Sequence, residues 1–227
     1  MDSVYELLDK LNIHVDDVSL FDLALTHPSY NYEANSKHQD YERLEFMGDS
    51  VIGFVSADLI FKSNPNMDQG VMTKLRSSLV CSKALAGYAR EIELYNYIKT
   101  GHSIKKDQLA KSDKILEDVF EALVGAIYLV LDIGIAYGFV EKFIYSKVRE
   151  VNTDDLIDPK TRLQEEIQSE SREAVTYILK KEEGPAHDRT FYVDVLFNGM
   201  ILGKGKGKSK KAAEEDAARD ALSKRSI

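Results

Sequence analysis

The stretch YERLEFMGDSVIGF, residues 41–54, decides the fold of the N-terminal part of the chain. Its carboxylates Glu42, Glu45 and Asp49 are spaced i, i+3 and i+7, so they share one face of a helix. Apolar side chains occupy most of the remaining circumference: Leu44, Met47, Val51, Ile52, Phe54, Val55 and Leu59. A helix that is apolar on most sides is largely buried. The pattern therefore predicts a long buried helix, from about residue 40 to residue 62, that carries an acidic stripe.

A second helix repeats this arrangement further along the chain. Asp118 and Glu121 are spaced i, i+3, and the residues that follow, ALVGAIYLVL (122–131), are all apolar. Two interpretations stay open: structural acids on a solvated face, or metal ligands. Like-charged carboxylates on buried helices repel one another and lose solvation, and a hard divalent cation offsets both costs. Oxygen ligands favour Mg²⁺, with Mn²⁺ as an alternative, over zinc, and such an ion can activate water for phosphodiester hydrolysis.

Charge is distributed unevenly along the 227 residues, whose net charge is −8. Residues 158–227 carry 14 Lys+Arg and 13 Asp+Glu, a net charge of +1, which leaves −9 for residues 1–157. Five lysines are clustered in GKGKGKSKK, residues 203–211. Local clustering governs contact with phosphate more than total charge does. The total charge therefore does not exclude a nucleic-acid partner.

The sequence excludes several classes of protein. The longest apolar run, residues 122–131, is too short to span a bilayer, and residues 1–17 do not form a secretory signal. The single cysteine, Cys81, excludes an intrachain disulfide, and its apolar context predicts a small buried thiol. We expect a cytoplasmic protein with no membrane partner and no small-molecule cofactor.

The hydrophobic periodicity changes once along the chain. Residues 1–150 read as helices, with a polar loop at residues 31–39, and predict an all-α domain. Residues 151–157 lack periodicity and predict a linker. Residues 158–227 predict a helix at 160–171, strands at 176–182, 190–197 and 201–205, and a helix at 210–224. The predicted fold is therefore an all-α domain followed by a small α+β domain of order α-β-β-β-α.

The lysine cluster leads directly into the last predicted helix. It could be a flexible solvated loop or a set of phosphate contacts. Lysines at a helix N-terminus are slightly unfavourable for the helix dipole, whereas phosphates bind well there. Contact with phosphate would account for Lys208, Lys210 and Lys211 beside Ser209, which can cap the helix.

Three motifs resemble those of the ribonuclease III family: residues 41–54, DVFEALVGAIYL (118–129) and ALTHPSY (24–30). The resemblance implies an endoribonuclease that hydrolyses double-stranded RNA with Mg²⁺ and leaves 5′-phosphate and 3′-hydroxyl staggered ends. It also implies a role in processing precursors of ribosomal RNA and other structured transcripts, messenger and transfer RNA among them. In the family, the residues matching Glu45, Asp49, Asp118 and Glu121 hold the catalytic metal, Glu121 being the most critical. Glu42 matches a further acid that lines the catalytic valley.

The resemblance also implies a homodimer in which each of two active sites cuts one strand. Phe46 matches an aromatic residue that inserts into a socket on the partner subunit. The chain departs from the family in MDQG, residues 67–70, where Gln69 replaces the usual glutamate. That departure puts in doubt a secondary role of this acid, whereas all four principal ligand positions are intact.

The C-terminal part resembles the double-stranded-RNA-binding domain, through GPAHDRTF (184–191) and GKGKSKKAAEEDAARDAL (205–222). Such domains contact two successive minor grooves and the phosphates between them. The resemblance assigns Thr161, Gln164 and Glu165 to the first minor groove and His187, with Pro185 and Ala186, to the second. It assigns Lys208, Lys210 and Lys211 to the phosphates.

Two rival functions are consistent with parts of this pattern. A non-catalytic protein that protects double-stranded RNA would keep the lysine cluster but not the acidic constellation, which is complete here at its four principal positions. A helical metal-binding protein unrelated to RNA would leave residues 158–227 unexplained.

Overall fold

The structure, a computed structural model, describes residues 3–33, 39–150, 158–185 and 187–225. The chain divides into two compact units, with the division after residue 151. The predicted linker, residues 151–157, lies outside the described residues, so the proposed domain bounds stay a prediction. Among the described residues, no helix is both long enough and apolar enough to cross a membrane.

The first unit is helical, as its periodicity predicted. Its elements are α1 (Val4–Leu11), α2 (Ser19–Ala24), α3 (Pro28–Glu33), α4 (Glu42–Ser63), α5 (Gln69–Leu79), α6 (Ser82–Glu91), a short 3-10 helix (Leu94–Asn96), α7 (Lys106–Leu109), α8 (Asp113–Val130) and α9 (Ile133–Arg149). Capping side chains determine where two of the central helices begin. Ser112 accepts a hydrogen bond from the backbone N–H of Ile115 at the start of α8, and Asp132 accepts one from Ile135 at the start of α9.

The core of this unit forms around α4 and α8. Val55 of α4 and Phe120 of α8 are fully buried. The ring of Phe120 packs against Tyr88 of α6 and against Phe139 and Phe143 of α9, with centroid distances between 5.3 and 5.9 Å. Tilted and edge-on aromatic pairs at these distances are attractive beyond their buried area. The aromatic cluster therefore joins α6 and α9 to the central helix α8.

Some predictions for this unit were wrong in detail. The predicted loop at residues 31–39 overlaps α3, which continues to Glu33, while residues 34–38 lie outside the described part. Pro28 begins α3, a position where its missing N–H costs nothing. Cys81 is exposed rather than buried, because it lies in the turn between α5 and α6, where its thiol donates to the carbonyl of Ser78. The periodicity predicted neither α7 nor the 3-10 helix.

The second unit has the predicted order α-β-β-β-α. Its elements are α10 (Pro159–Glu170), β1 (Thr176–Glu183), β2 (Thr190–Phe197), β3 (Met200–Gly207) and α11 (Lys210–Arg225). The strands form an antiparallel sheet of order β1-β2-β3. Asn198 and Gly199, with φ of 50° and 78°, form the tight turn between β2 and β3. Positive φ at both central residues suits the twist of a two-residue hairpin. Helix α11 covers β2 and β3, and α10 packs against α11.

Strand β3 lies directly against α11. A Cβ atom added to Gly203 would lie 2.4 Å from the carbonyl oxygen of Ala217. One added to Gly205 would lie 2.1 Å from the backbone nitrogen of Ala217. Only glycine therefore fits at these two positions. Because side chains alternate along a strand, Lys204 and Lys206 are directed away from α11, and both are exposed.

Candidate active site and RNA-binding surface

Two glycines allow α4 and α8 to cross in backbone contact. A Cβ atom added to Gly48 would lie 1.7 Å from the carbonyl oxygen of Glu121, and one added to Gly125 would lie 2.4 Å from that of Leu44. Distances below 3.0 Å are not tolerated by real Cβ atoms. The crossing therefore requires glycine on both helices, and it brings the acidic residues of α4 next to those of α8.

Three carboxylates meet at this crossing. Glu45 of α4 and Asp118 and Glu121 of α8 each offer one oxygen atom, and these atoms all lie within 4.8 Å of one another. Asp118 and Glu121 are only 6% and 7% exposed, and Glu45 is half-buried. The structure thus brings together three of the four residues predicted as principal metal ligands. Their burial argues against the alternative of an acidic face in solvent.

Burial disfavours the charged form of these acids. It raises the pKa of Glu121 to about 8, and the charges of Asp49 and Glu117 act in the same direction. Burial and the Asp118 carboxylate likewise raise the pKa of Glu45. A divalent cation would offset both the desolvation and the mutual repulsion of the group. A set of donors made only of carboxylate oxygens fits a hard cation such as Mg²⁺ or Mn²⁺.

The two other predicted acids of α4 are more open to solvent. Asp49 and Glu42 are both exposed, and neither belongs to the group of three carboxylates. Their charges still reach that group, because Asp49 contributes to the raised pKa of Glu121 and Glu42 to that of Glu45. The structure therefore places both at the edge of the carboxylate group rather than inside it.

The sequence analysis did not single out Tyr41. This residue is 4% exposed, and its hydroxyl donates to Asp118 Oδ2 over 3.3 Å. The ring of His27, from the ALTHPSY motif, packs edge-on against the Tyr41 ring at 5.7 Å. Tyr41 and Asp118 are 77 positions apart, so no local pattern could have predicted their contact. The hydroxyl fixes the orientation of a buried carboxylate.

Lys114 is a second residue that the sequence analysis missed. Its Nζ lies 2.6 Å from Asp118 Oδ1, 3.8 Å from Glu45 Oε1 and 3.9 Å from Glu117 Oε2. The i, i+4 spacing of Lys114 and Asp118 is a recognisable signal for an ion pair on one helix. A search for basic residues one turn from each predicted acid would have found it.

Phe46 and Gln69 both belong to surfaces of the first unit. Phe46 projects from α4 with 76% of its surface exposed, which is unusual for a large aromatic residue. Gln69 is exposed and, with Phe54 and Phe61 among others, lines a groove of about 460 Å³ between α4 and α5. The neighbouring Asp68 caps α5 by accepting a hydrogen bond from Val71 N–H, so its carboxylate has a structural role.

In the second unit, the residues predicted for the first minor groove lie together on α10. Thr161, Gln164 and Glu165 line one shallow pocket with Val175 and Tyr177. Thr161 and Glu165 are exposed. Gln164 is half-buried, and its side-chain oxygen accepts a hydrogen bond from Val175 N–H. Thr161 and Glu165 are therefore the more accessible members of the group.

The second predicted contact and part of the lysine cluster share another pocket. His187, Lys208 and Lys210 line it together, whereas Lys211 does not. Pro185 is exposed, and Ala186 lies outside the described residues. Each of the three lysines has an acidic neighbour. The distances are 2.6 Å from Lys208 to Asp188, 3.7 Å from Lys210 to Glu182 and 3.8 Å from Lys211 to Glu215.

Comparison with protein families assigns both units. Residues 17–148 match the family described as Ribonuclease-III-like, and residues 159–225 match the double-stranded RNA binding motif. The solved nuclease domain of ribonuclease III from Campylobacter jejuni superposes with a TM-score of 0.59 at 28% identity, and the match covers 67% of this chain and all of that domain.

Whole proteins also match along nearly their full length. Ribonuclease 3 of Onion yellows phytoplasma (strain OY-M) is 44% identical over 227 residues, which are 99% of this chain and 92% of that protein. Ribonuclease 3 of Enterococcus faecalis (strain ATCC 700802 / V583) is 40% identical over 218 residues, 96% of this chain and 95% of that protein.

Buried carboxylates on crossing helices, together with an α-β-β-β-α module, define an endoribonuclease that acts on double-stranded RNA. The chain belongs to the ribonuclease III family.

Proposed function

We propose that Glu45, Asp49, Asp118 and Glu121 hold Mg²⁺, with Mn²⁺ as an alternative, and that hydrolysis leaves 5′-phosphate and 3′-hydroxyl ends. The observation that carries this proposal is the group of three carboxylates at the crossing of α4 and α8. When bound, Mg²⁺ lowers the pKa of a coordinated water and neutralises charge that develops on the phosphate. The chain contributes the positions of the oxygens, since Gly48 brings the two helices into contact.

Residues around the group orient it and face the substrate. The Tyr41 hydroxyl holds Asp118 Oδ2, so this carboxylate does not rotate freely. Asp49 is exposed and completes the ligand set from the solvent side, and Glu42 lines the adjacent valley. In the hydrolysis, water would form the new bond to phosphorus and lose a proton, the bond from phosphorus to the 3′-oxygen would break, and that oxygen would take up a proton to give the 3′-hydroxyl. Fixed ligands lower the barrier because they do not need to reorganise during the reaction.

The second unit holds the duplex by its shape and charge. Thr161, Gln164 and Glu165 contact one minor groove, and His187 contacts the next. Lys208, Lys210 and Lys211 contact phosphates between the grooves, which supports binding that weakens as salt increases. Because all three lysines have acidic neighbours in the free protein, RNA must replace these ion pairs.

We also propose that the protein is a homodimer whose two active sites cut opposite strands with a stagger. The support is Phe46, whose ring is 76% exposed on the helix that carries the carboxylates. A partner subunit would bury this ring. The cellular role that we propose is the processing of ribosomal RNA precursors and other structured transcripts in the cytoplasm.

The substitution Glu121→Gln tests the enzymatic proposal. Burial already favours the uncharged form of Glu121, so the amide should be accommodated and the fold should survive. Cleavage should fall by a hundredfold or more, on the order of 3 kcal/mol of transition-state stabilisation. Duplex binding should persist, because residues 158–225 are unchanged. The measurements are cleavage and gel shift on one duplex at several Mg²⁺ concentrations, with circular dichroism to monitor folding.

The matched control is Glu91→Gln, which removes an exposed carboxylate from α6. It should cleave as the wild type does. A folded Glu121→Gln protein that cuts at the wild-type rate would exclude Glu121 as a principal ligand. If the wild type binds duplex RNA but never cuts it, the protein is a binding protein and the catalytic proposal is wrong.

A further inference from the structure

Lys114 contacts two of the three clustered carboxylates. Its Nζ lies 2.6 Å from Asp118 Oδ1 and 3.8 Å from Glu45 Oε1. Both acids belong to the group whose oxygens lie within 4.8 Å of one another. One ammonium group therefore occupies the space beside the oxygens that are proposed to hold a metal ion.

This contact differs from an ordinary ion pair on a helix surface. The Asp118 side chain is 9% exposed, whereas the acids of the other described i, i+4 pairs are between 22% and 38% exposed. Exposed pairs contribute little because water already solvates both charges. A buried carboxylate lacks that solvation and depends on a nearby positive charge. Lys114 supplies such a charge to Asp118.

The two oxygens of Asp118 are held in different ways. Oδ2 accepts a hydrogen bond from Tyr41, which is 4% exposed and cannot move away. Oδ1 is buried and accepts no directed hydrogen bond from the described residues, so its neighbour is the Lys114 ammonium. The Lys114 side chain is 70% exposed. Its flexible stem can therefore turn into solvent without disturbing the core.

We propose that Lys114 is an exchangeable counter-ion of the active site. Its ammonium neutralises Asp118 and Glu45 in the metal-free protein and leaves when a divalent cation binds. Mg²⁺ coordinates oxygen at about 2.0–2.1 Å, so a metal on Asp118 Oδ1 would lie close to the ammonium 2.6 Å from the same atom, and repulsion between the two cations favours departure of the lysine. The inference rests on the proposed metal site and adds a determinant of its metal affinity.

Two opposite effects follow from this exchange. The metal-free protein is stabilised because a buried carboxylate keeps a cation near it. Metal affinity is lowered because binding must first displace that cation. Removal of the ammonium should therefore destabilise the metal-free protein, tighten Mg²⁺ binding and leave the metal-saturated protein unchanged.

The experiment is thermal unfolding of the EDTA-treated full-length protein, titrated with MgCl₂ at constant ionic strength. The Mg²⁺ concentration that gives half of the full rise in Tm should be about fivefold lower for Lys114→Ala than for the wild type. A fivefold change is the scale of an ion pair worth about 1 kcal/mol. Without metal, Lys114→Ala should unfold at a lower temperature, and saturating MgCl₂ should abolish the difference. Lys114→Arg keeps the charge and should follow the wild type.

Lys111→Ala is the matched control, because Lys111 is exposed just before α8 and makes no ion pair among the described residues. It should bind Mg²⁺ as the wild type does. If Lys114→Ala and the wild type show the same Mg²⁺ dependence of Tm, the inference is wrong while the proposed metal site still stands. The same holds if Lys111→Ala and Lys114→Ala change that dependence equally. If the wild type and Glu121→Gln respond identically to MgCl₂, the proposed metal site is wrong and the inference falls with it.

Discussion

The substitution Gly48→Ala tests whether the contact between α4 and α8 assembles the active site. The added methyl group would lie 1.7 Å from the carbonyl oxygen of Glu121, where ordinary contact begins at 3.4 Å. Because this neighbour is backbone in the middle of a helix, it cannot rotate away. The two helices would have to separate by roughly 1.7 Å, and a close-packed interior resists such a movement.

The expected cost follows from this overlap. Overpacking of a core typically costs up to about 3 kcal/mol, and a clash between two backbones belongs at the upper end. For a protein of this size that corresponds to a decrease in Tm of roughly 6–12 °C. The same separation moves Glu45 away from Asp118 and Glu121. Metal-dependent cleavage should therefore fall further than the loss of folded protein accounts for.

The matched control is Gly53→Ala on the same helix, because a Cβ atom there meets nothing within 4 Å. Alanine is the better helix former by about 1 kcal/mol, so Gly53→Ala should raise the Tm slightly and cleave normally. The assays are thermal unfolding followed by circular dichroism, and duplex cleavage at a temperature where both variants are folded. If Gly48→Ala has the Tm and the cleavage rate of Gly53→Ala, the backbone contact does not assemble the site.

Two further predictions concern the RNA-binding surface and the proposed dimer. Changing Lys210 and Lys211 together to alanine should weaken duplex binding and reduce the slope of log affinity against log salt by about one per lost contact; Lys180→Ala on β1 is the control, and an unchanged slope in the double variant would rule out phosphate contact. Phe46→Ala should shift the protein from dimer to monomer in sedimentation experiments, whereas Tyr5→Ala, which removes an exposed aromatic residue from α1, should not; a wild type that sediments as a monomer would contradict the dimer.

Local patterns predicted most of the helices and strands. The observed bounds of α4 and β2 follow the predicted ones closely. The helical or alternating spacing of apolar residues that predicts such an element is contained within the element's own sequence. Cys81 shows where this reading failed. Its apolar neighbours along the chain suggested burial, but the turn between α5 and α6 directs its side chain outward. Exposure in a turn depends on backbone direction, which composition does not record.

The candidate site was predictable in its acids but not in their surroundings. Helical spacing predicted that Glu45 and Asp49 share one helix face and that Asp118 and Glu121 share another. The family resemblance predicted that the two pairs form one metal site. The contact of Gly48 with α8 could not be predicted, because periodicity identifies which face of a helix is buried but not which helix it meets. The acidic neighbours of Lys208 and Lys210 were missed for a similar reason, since Asp188 and Glu182 lie in other parts of the second unit.

The packing of β3 against α11 has a consequence for how this protein can change over generations. Charge on the outer positions 204 and 206 can be gained, lost or exchanged by single substitutions, since neither side chain contributes to the core. Inserting or deleting one residue would exchange the two faces, turning lysines toward α11 and glycines outward. The charge of this outer face can therefore drift almost freely through point substitutions, whereas a change in the length of the strand would disrupt its packing against α11.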